Sequence, residues 1–162
     1  MAATITIPIK VKEKLDELSR SKDEPFEELL ITALNRTYSI LNPEDRAEIH
    51  LELCDKYLKE AKEFLQKGDS VQSSEKGWGA ATEILKAMAA KEGKLRSHAR
   101  LWDYVSALRR RYGDEGISTL WHKASSLHMN FYENLMPLDE VELAVNGVER
   151  FVKKLKGLMQ TR

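Results

Sequence analysis

Six apolar residues, Ala47, Leu51, Cys54, Leu58, Ala61 and Leu65, follow one another at intervals of 4, 3, 4, 3 and 4. Val141, Val145, Val148, Val152, Leu155 and Met159 repeat the same rhythm near the other end. At about 3.6 residues per turn, each set falls into one stripe on a helix, and such a stripe is buried only against other helices. Two matched stripes separated by further helical segments predict an all-α fold, an antiparallel helical bundle of about five helices over residues 42–162, preceded by a small strand/helix-helix extension over residues 1–41.

Local signals place the helix ends. Asn42-Pro43-Glu44-Asp45 is a strong start, with a capping side chain, proline at the first helical position and acids facing the positive end of the helix. Asp69 and Gln72 resemble a capping pair for a second helix over 70–91, and Ser97 is suited to cap a third over 98–111. A fourth helix is expected over 116–135, and Pro137, Asp139 and Glu140 open the fifth. Gly77 and Gly79 lie inside the second helix, where each costs about 1 kcal/mol relative to alanine. That cost implies a close approach of another helix, or of a ligand, at this point.

Residues 4–11 alternate, with Ile5, Ile7, Ile9 and Val11 apolar between Thr4, Thr6, Pro8 and Lys10, which is the period of a half-buried edge strand. Two helices are expected to follow, over 12–22 and after Pro25, so the segment resembles the ribbon-helix-helix module, whose strands pair between two chains. Only one outward strand residue, Lys10, is a cation, and Asp16, Glu17, Asp23, Glu24, Glu27 and Glu28 repel phosphate. Duplex DNA is therefore disfavoured as a partner, and dimerisation or packing on the bundle is expected; the alternative reading of residues 1–41 is an irregular lead-in followed by a helical hairpin packed on the bundle.

Twenty-six Lys and Arg balance 26 Asp and Glu, so any electrostatic footprint is local. The single Cys54 lies in an apolar stripe, which favours a reducing compartment and a packing role. No apolar run reaches the roughly 18 residues of a membrane span, and the start lacks the order of a signal peptide, so a cytoplasmic protein without a membrane partner is expected. The histidines, His50, His98, His122 and His128, show no HExxH spacing, and neither GxxxxGK[ST] nor GxGxxG occurs. No metal and no cofactor is expected.

The stretch from Ala124 to Asn134 is too polar for a plain core helix, placing His128, Asn130, Tyr132 and Asn134 on about two and a half turns. Tyr132, Trp78, Trp102 and Trp121 can stack on a base, although aromatic residues at helical spacing also build cores. Arg109-Arg110-Arg111 can grip phosphate, and equally suits the negative end of a helix.

Taken together, PEDRAEIHLEL, KYLKEAKEFLQKGD, SEKGWGAATEILKAMA, RSHARLWDYV, LHMNFYEN and VELAVNGVERFVKKL resemble the HEPN superfamily, and within it the archaeal PaREP-type family, over residues 43–156. Many HEPN proteins are metal-independent ribonucleases with an arginine four to six residues ahead of a histidine. Lys123 stands in that arginine's place before His128. Carried over, His128 would be the acid or base, Lys123 the cation, and Asn130 and Asn134 donors to a phosphate or base. Lysine supplies charge but lacks the bidentate fork of arginine.

The resemblance thus implies a non-catalytic nucleotide- or RNA-binding module, one half of a toxin-antitoxin-like or defence pair, with Lys123, His128, Asn130, Tyr132 and Asn134 as ligand-binding residues. A ribonuclease using Lys123 and His128 is the first alternative. A homodimeric module that binds a protein partner and no nucleic acid is the second.

Overall fold

The computed structural model describes residues 4–93 and 100–161. The chain divides into two compact units, Met1–Asn42 and Pro43–Arg162. No strand forms among the described residues.

In the first unit, residues 4–8 have no regular secondary structure and α1 runs Ile9–Lys22. The expected strand over 4–11 is therefore not formed, and its last three residues are helical. Pro8 explains the change. Its φ of −57° and ψ of 142° end the extended stretch, and its carbonyl accepts hydrogen bonds from the amides of Val11 (2.9 Å) and Lys12 (3.1 Å). Asp23 closes α1 in the left-handed conformation, with φ 54°, and Pro25 leads into α2, Phe26–Tyr38.

Among the described residues the second unit is a bundle of five α-helices: α3 (Pro43–Gln66), α4 (Ser70–Lys91), α5 (Leu101–Tyr112), α6 (Glu115–Glu133) and α7 (Leu138–Gln160). Asp69 caps α4 by accepting from the Gln72 amide at 2.9 Å, and Asp114 caps α6 by accepting from the Gly116 amide at 2.9 Å. Gly113, at φ 61°, ends α5. Ser97, expected to cap the third bundle helix, lies outside the described residues, as does His98.

The whole stripe from Val141 to Met159 on α7 is buried, as are Ala47, Cys54 and Ala61 of the matching stripe on α3, with Leu51, Leu58 and Leu65 packed at its margin. Helix α4 is the axis of the bundle, buried on every side from Gly79 to Ala90. It packs on α3, α6 and α7, and touches α5.

Its glycines are what let the neighbours come so close. A Cβ at Gly77 would lie 2.7 Å from Leu127 Cδ1 of α6 and 3.4 Å from Val145 Cγ2 of α7. A Cβ at Gly79, on the opposite face, would lie 3.1 Å from the Tyr57 ring of α3. Helix packing is thus the compensation that the two glycines implied.

Two substitutions separate the packing role of a helical glycine from its propensity cost. Gly77→Val forces a branched side chain into Leu127 and Val145 and lowers stability by about 2 kcal/mol. Gly157→Ala, on α7 with nothing within 4 Å of the added carbon, raises it by up to about 1 kcal/mol. Thermal unfolding followed by circular dichroism reads both shifts, which have opposite sign.

Candidate functional site

Helix α6 carries all but one of the five residues singled out for ligand binding, and Asn134 ends it. The helix does not present them on one surface. The alkyl stem of Lys123 lies over Gly147 of α7, where a Cβ would be 2.5 Å from Lys123 Cδ. The His128 ring lies on the side of α4 instead, stacked on Trp78 with centroids 4.5 Å apart and planes 26° apart. Five residues at 100° each turn the two positions about 140° apart, and their side chains accordingly contact different helices.

Asn130 and Asn134 are engaged by the fold. Asn130 is buried, its Nδ2 donating to Ser74 Oγ at 2.9 Å and its Oδ1 accepting from the Met136 amide at 2.7 Å. Asn134 closes α6 in the left-handed conformation, φ 47°, its amide donating to the Asn130 carbonyl and its Oδ1 accepting from Ser70 Oγ at 3.1 Å. Asparagine tolerates this conformation and its short amide satisfies local backbone, which accounts for both residues at the α6–α7 turn.

His128 and Tyr132 are brought together. Tyr132 meets the imidazole edge-on at 5.5 Å and is 58% exposed. From there a continuous run of rings crosses the bundle. Trp78 contacts Trp121 at 5.0 Å, Trp121 contacts Trp102 at 5.9 Å, and Trp102 contacts His122 at 5.0 Å. Trp121 in the middle is fully buried, whereas Trp102 on α5 is 47% exposed and His122 is exposed. The run is therefore core at its centre and open to solvent at both ends.

A second polar group, unmarked by any sequence motif, lies between α3 and α4. The Glu83 carboxylate is fully buried, with Oε2 accepting from His50 Nδ1 at 2.7 Å and Oε1 accepting from Lys86 Nζ at 3.1 Å. Burial alone would push the Glu83 carboxyl up, but the Lys86 charge and the hydrogen bonds from His50 and Lys86 prevail and hold it below the usual carboxylate value of 4.5. A Glu and a Lys three residues apart inside the otherwise apolar run GAATEILKAMAA were the available signal, because two charges there must answer each other. One turn beyond His50, burial first and the Asp55 charge next push the Cys54 thiol up to about 12, so it is a packed side chain and not a nucleophile.

An antiparallel helical bundle with its ionic group in the interior and ring systems at its surface defines the class. Residues 49–152 match the model of the archaeal PaREP1/PaREP8 family, more than half of the chain, and the protein belongs to that family. It is also similar to a protein from Sulfolobus solfataricus of known crystal structure, 28% identical, with a TM-score of 0.58 over 65% of this chain and 94% of that one. No curated protein matches the chain.

Glu83→Gln removes the charge that answers His50 and Lys86 in a buried place and lowers stability at neutral pH by about 3–5 kcal/mol. Because the folded carboxyl titrates below its unfolded value of 4.5, its contribution is fully present above that pH and is lost as pH falls through the folded value. Denaturant unfolding at pH 7 and at pH 4 or below checks both points, the gap between parent and variant narrowing in acid.

Proposed function

We propose that the bundle is a non-catalytic nucleotide- or RNA-binding module and that α6, with the rings that flank it, forms its contact surface. The observation that carries this reading is the run of rings from Tyr132 to Trp102 and His122, buried in the middle and exposed at both ends. An exposed aromatic face backed by other rings is a rigid platform for a base, and such stacking is worth about 1–3 kcal/mol per base. The resemblance to HEPN proteins supports the same reading. The ribonuclease alternative draws less support, because Lys123 and His128 contact different helices and a cation acts on a reacting phosphate only where the acid-base group also reaches it.

A second reading, a homodimeric interaction module, is favoured by one specific observation on the first unit. Helix α1 buries none of its residues, and Ile5, Ile9 and Val11 are exposed, Ile9 by 70%. A second copy that met this surface around a two-fold axis would cover it in both chains at once. The two readings are compatible.

Incubation with end-labelled single-stranded RNA, without added metal, separates the nucleic-acid readings on parallel native and denaturing gels. The binding module shifts the RNA intact, and Tyr132→Ala weakens the shift roughly tenfold. Cleavage abolished by His128→Ala would replace this reading with the ribonuclease. For the dimer, sedimentation is expected to give twice the chain mass and to return to the single-chain mass in Ile9→Lys with Val11→Lys. A parent protein that sediments as one chain sinks the second reading.

A further inference from the structure

This inference rests on the RNA-binding reading and locates the phosphate contacts. Several cations of the bundle stand in ion pairs: Lys62 with Glu149, Lys76 with Glu60, Lys154 with Asp114, Lys156 with Asp55. Arg111 follows the pattern and pairs with Glu92. Its two neighbours do not. Among the described residues no carboxylate pairs with Arg109 or Arg110, and the one hydrogen bond recorded for either side chain is from Arg110 Nη1 to Ser106 Oγ at 3.2 Å.

Their place on α5 is specific. Positions 102, 106 and 109 follow one another at steps of 4 and 3, so Trp102, Ser106 and Arg109 share one face, and Arg110 borders it. Trp102 and Arg110 are exposed and Arg109 half-buried. From Trp102 to Arg109 the helix rises about 10 Å, so a base on the indole and a phosphate at Arg109 belong to different positions along a strand. The indole meets both Trp121 and His122 in edge-type contacts, 80° and 61° between the ring planes, which restrain its orientation. A planar apolar platform and two unneutralised guanidinium groups, spaced by more than one nucleotide, complement a base and the phosphodiesters next to it.

The geometry points to a single-stranded RNA site along the exposed face of α5, with a base on Trp102 against His122 and backbone phosphates on Arg109 and Arg110. Asp103, exposed and about 100° round the helix from Trp102, lies on the same side as Arg110, seven residues on, and its charge opposes a phosphate backbone that runs there. A mononucleotide reaches one end of this face only, so an oligonucleotide is the ligand. Arginine contributes the bidentate grip on phosphate that Lys123 lacks.

Fluorescence anisotropy of a labelled uridine ten-mer, titrated with the intact protein at several salt concentrations, tests the assignment. Trp102→Ala is expected to weaken binding about tenfold. Arg109→Ala with Arg110→Ala, which touches no core residue, is expected to lower the slope of log affinity against log salt by about 1.4, at ~0.7 for each lost phosphate contact. Asp103→Asn is expected to tighten binding. Full affinity with an unchanged salt slope in the double arginine variant overturns the site while leaving an RNA-binding protein, whereas a parent that binds no RNA removes both readings. Equal affinity for uridine monophosphate, or for a deoxyribose ten-mer of the same length, overturns single-stranded RNA as the ligand.

Discussion

The packing of α4 at Gly77 and Gly79 is the constraint on which the bundle depends. These two positions face opposite ways, one toward Leu127 and Val145, the other toward the ring of Tyr57, so both neighbouring layers approach the α4 backbone itself. Gly is unfavourable in a helix by about 1 kcal/mol, and the chain bears that cost twice in three residues. Close approach is also what brings Trp78, between the glycines, against Trp121 and His128 of α6. The ring system at the surface therefore has its origin in the spacing of the core.

The Glu83 group adds a different kind of restraint. Pulling one carboxylate, one ammonium and one imidazole out of water costs several kcal/mol per ion, and apolar residues of the same volume would pack there at no such cost. What the group supplies is direction. The 2.7 Å hydrogen bond from His50 of α3 fixes the rotation of α4 against α3, because sliding or turning either helix breaks it, while Lys86, on α4 itself, answers the carboxylate from within the helix at 3.1 Å. The glycines fix how close the helices lie and the ionic group fixes their register.

Much of this was legible in the sequence, and for identifiable reasons. The stripes of α3 and α7 follow a period that only a helix satisfies, and the caps at Asp69 and Pro137 rest on backbone chemistry that is local. Alternation in residues 4–11 misled because period two describes a strand only where another strand pairs with it, and Pro8 turns the chain into α1 first. Asn130 and Asn134 read as ligand groups because their type suits both recognition and turns, and only tertiary placement shows the amides tied to Ser74, Met136 and Ser70. Trp102 and Trp121 have the same residue type and both fit core spacing, yet one is half-exposed and the other buried, a difference that depends on how α5 lies against α6 and not on the local sequence.

Zero net charge has a consequence for recognition. A protein that binds nucleic acid through a broad positive field gains affinity at long range and loses it steeply with salt. With 26 cations set against 26 anions, several of them joined in ion pairs across the bundle, no such field of the whole chain is available here. On the proposed reading, a nucleic acid would then be held by short-range contacts, the stacking of a base on a ring and a few directed hydrogen bonds. Contacts of that kind need a rigid platform, since a ring that reorients on binding surrenders part of the gain in lost rotamer freedom. The glycine-dependent core, which sets the rings of Trp78, Trp121 and Trp102 in contact with one another, supplies that rigidity without adding a single charge.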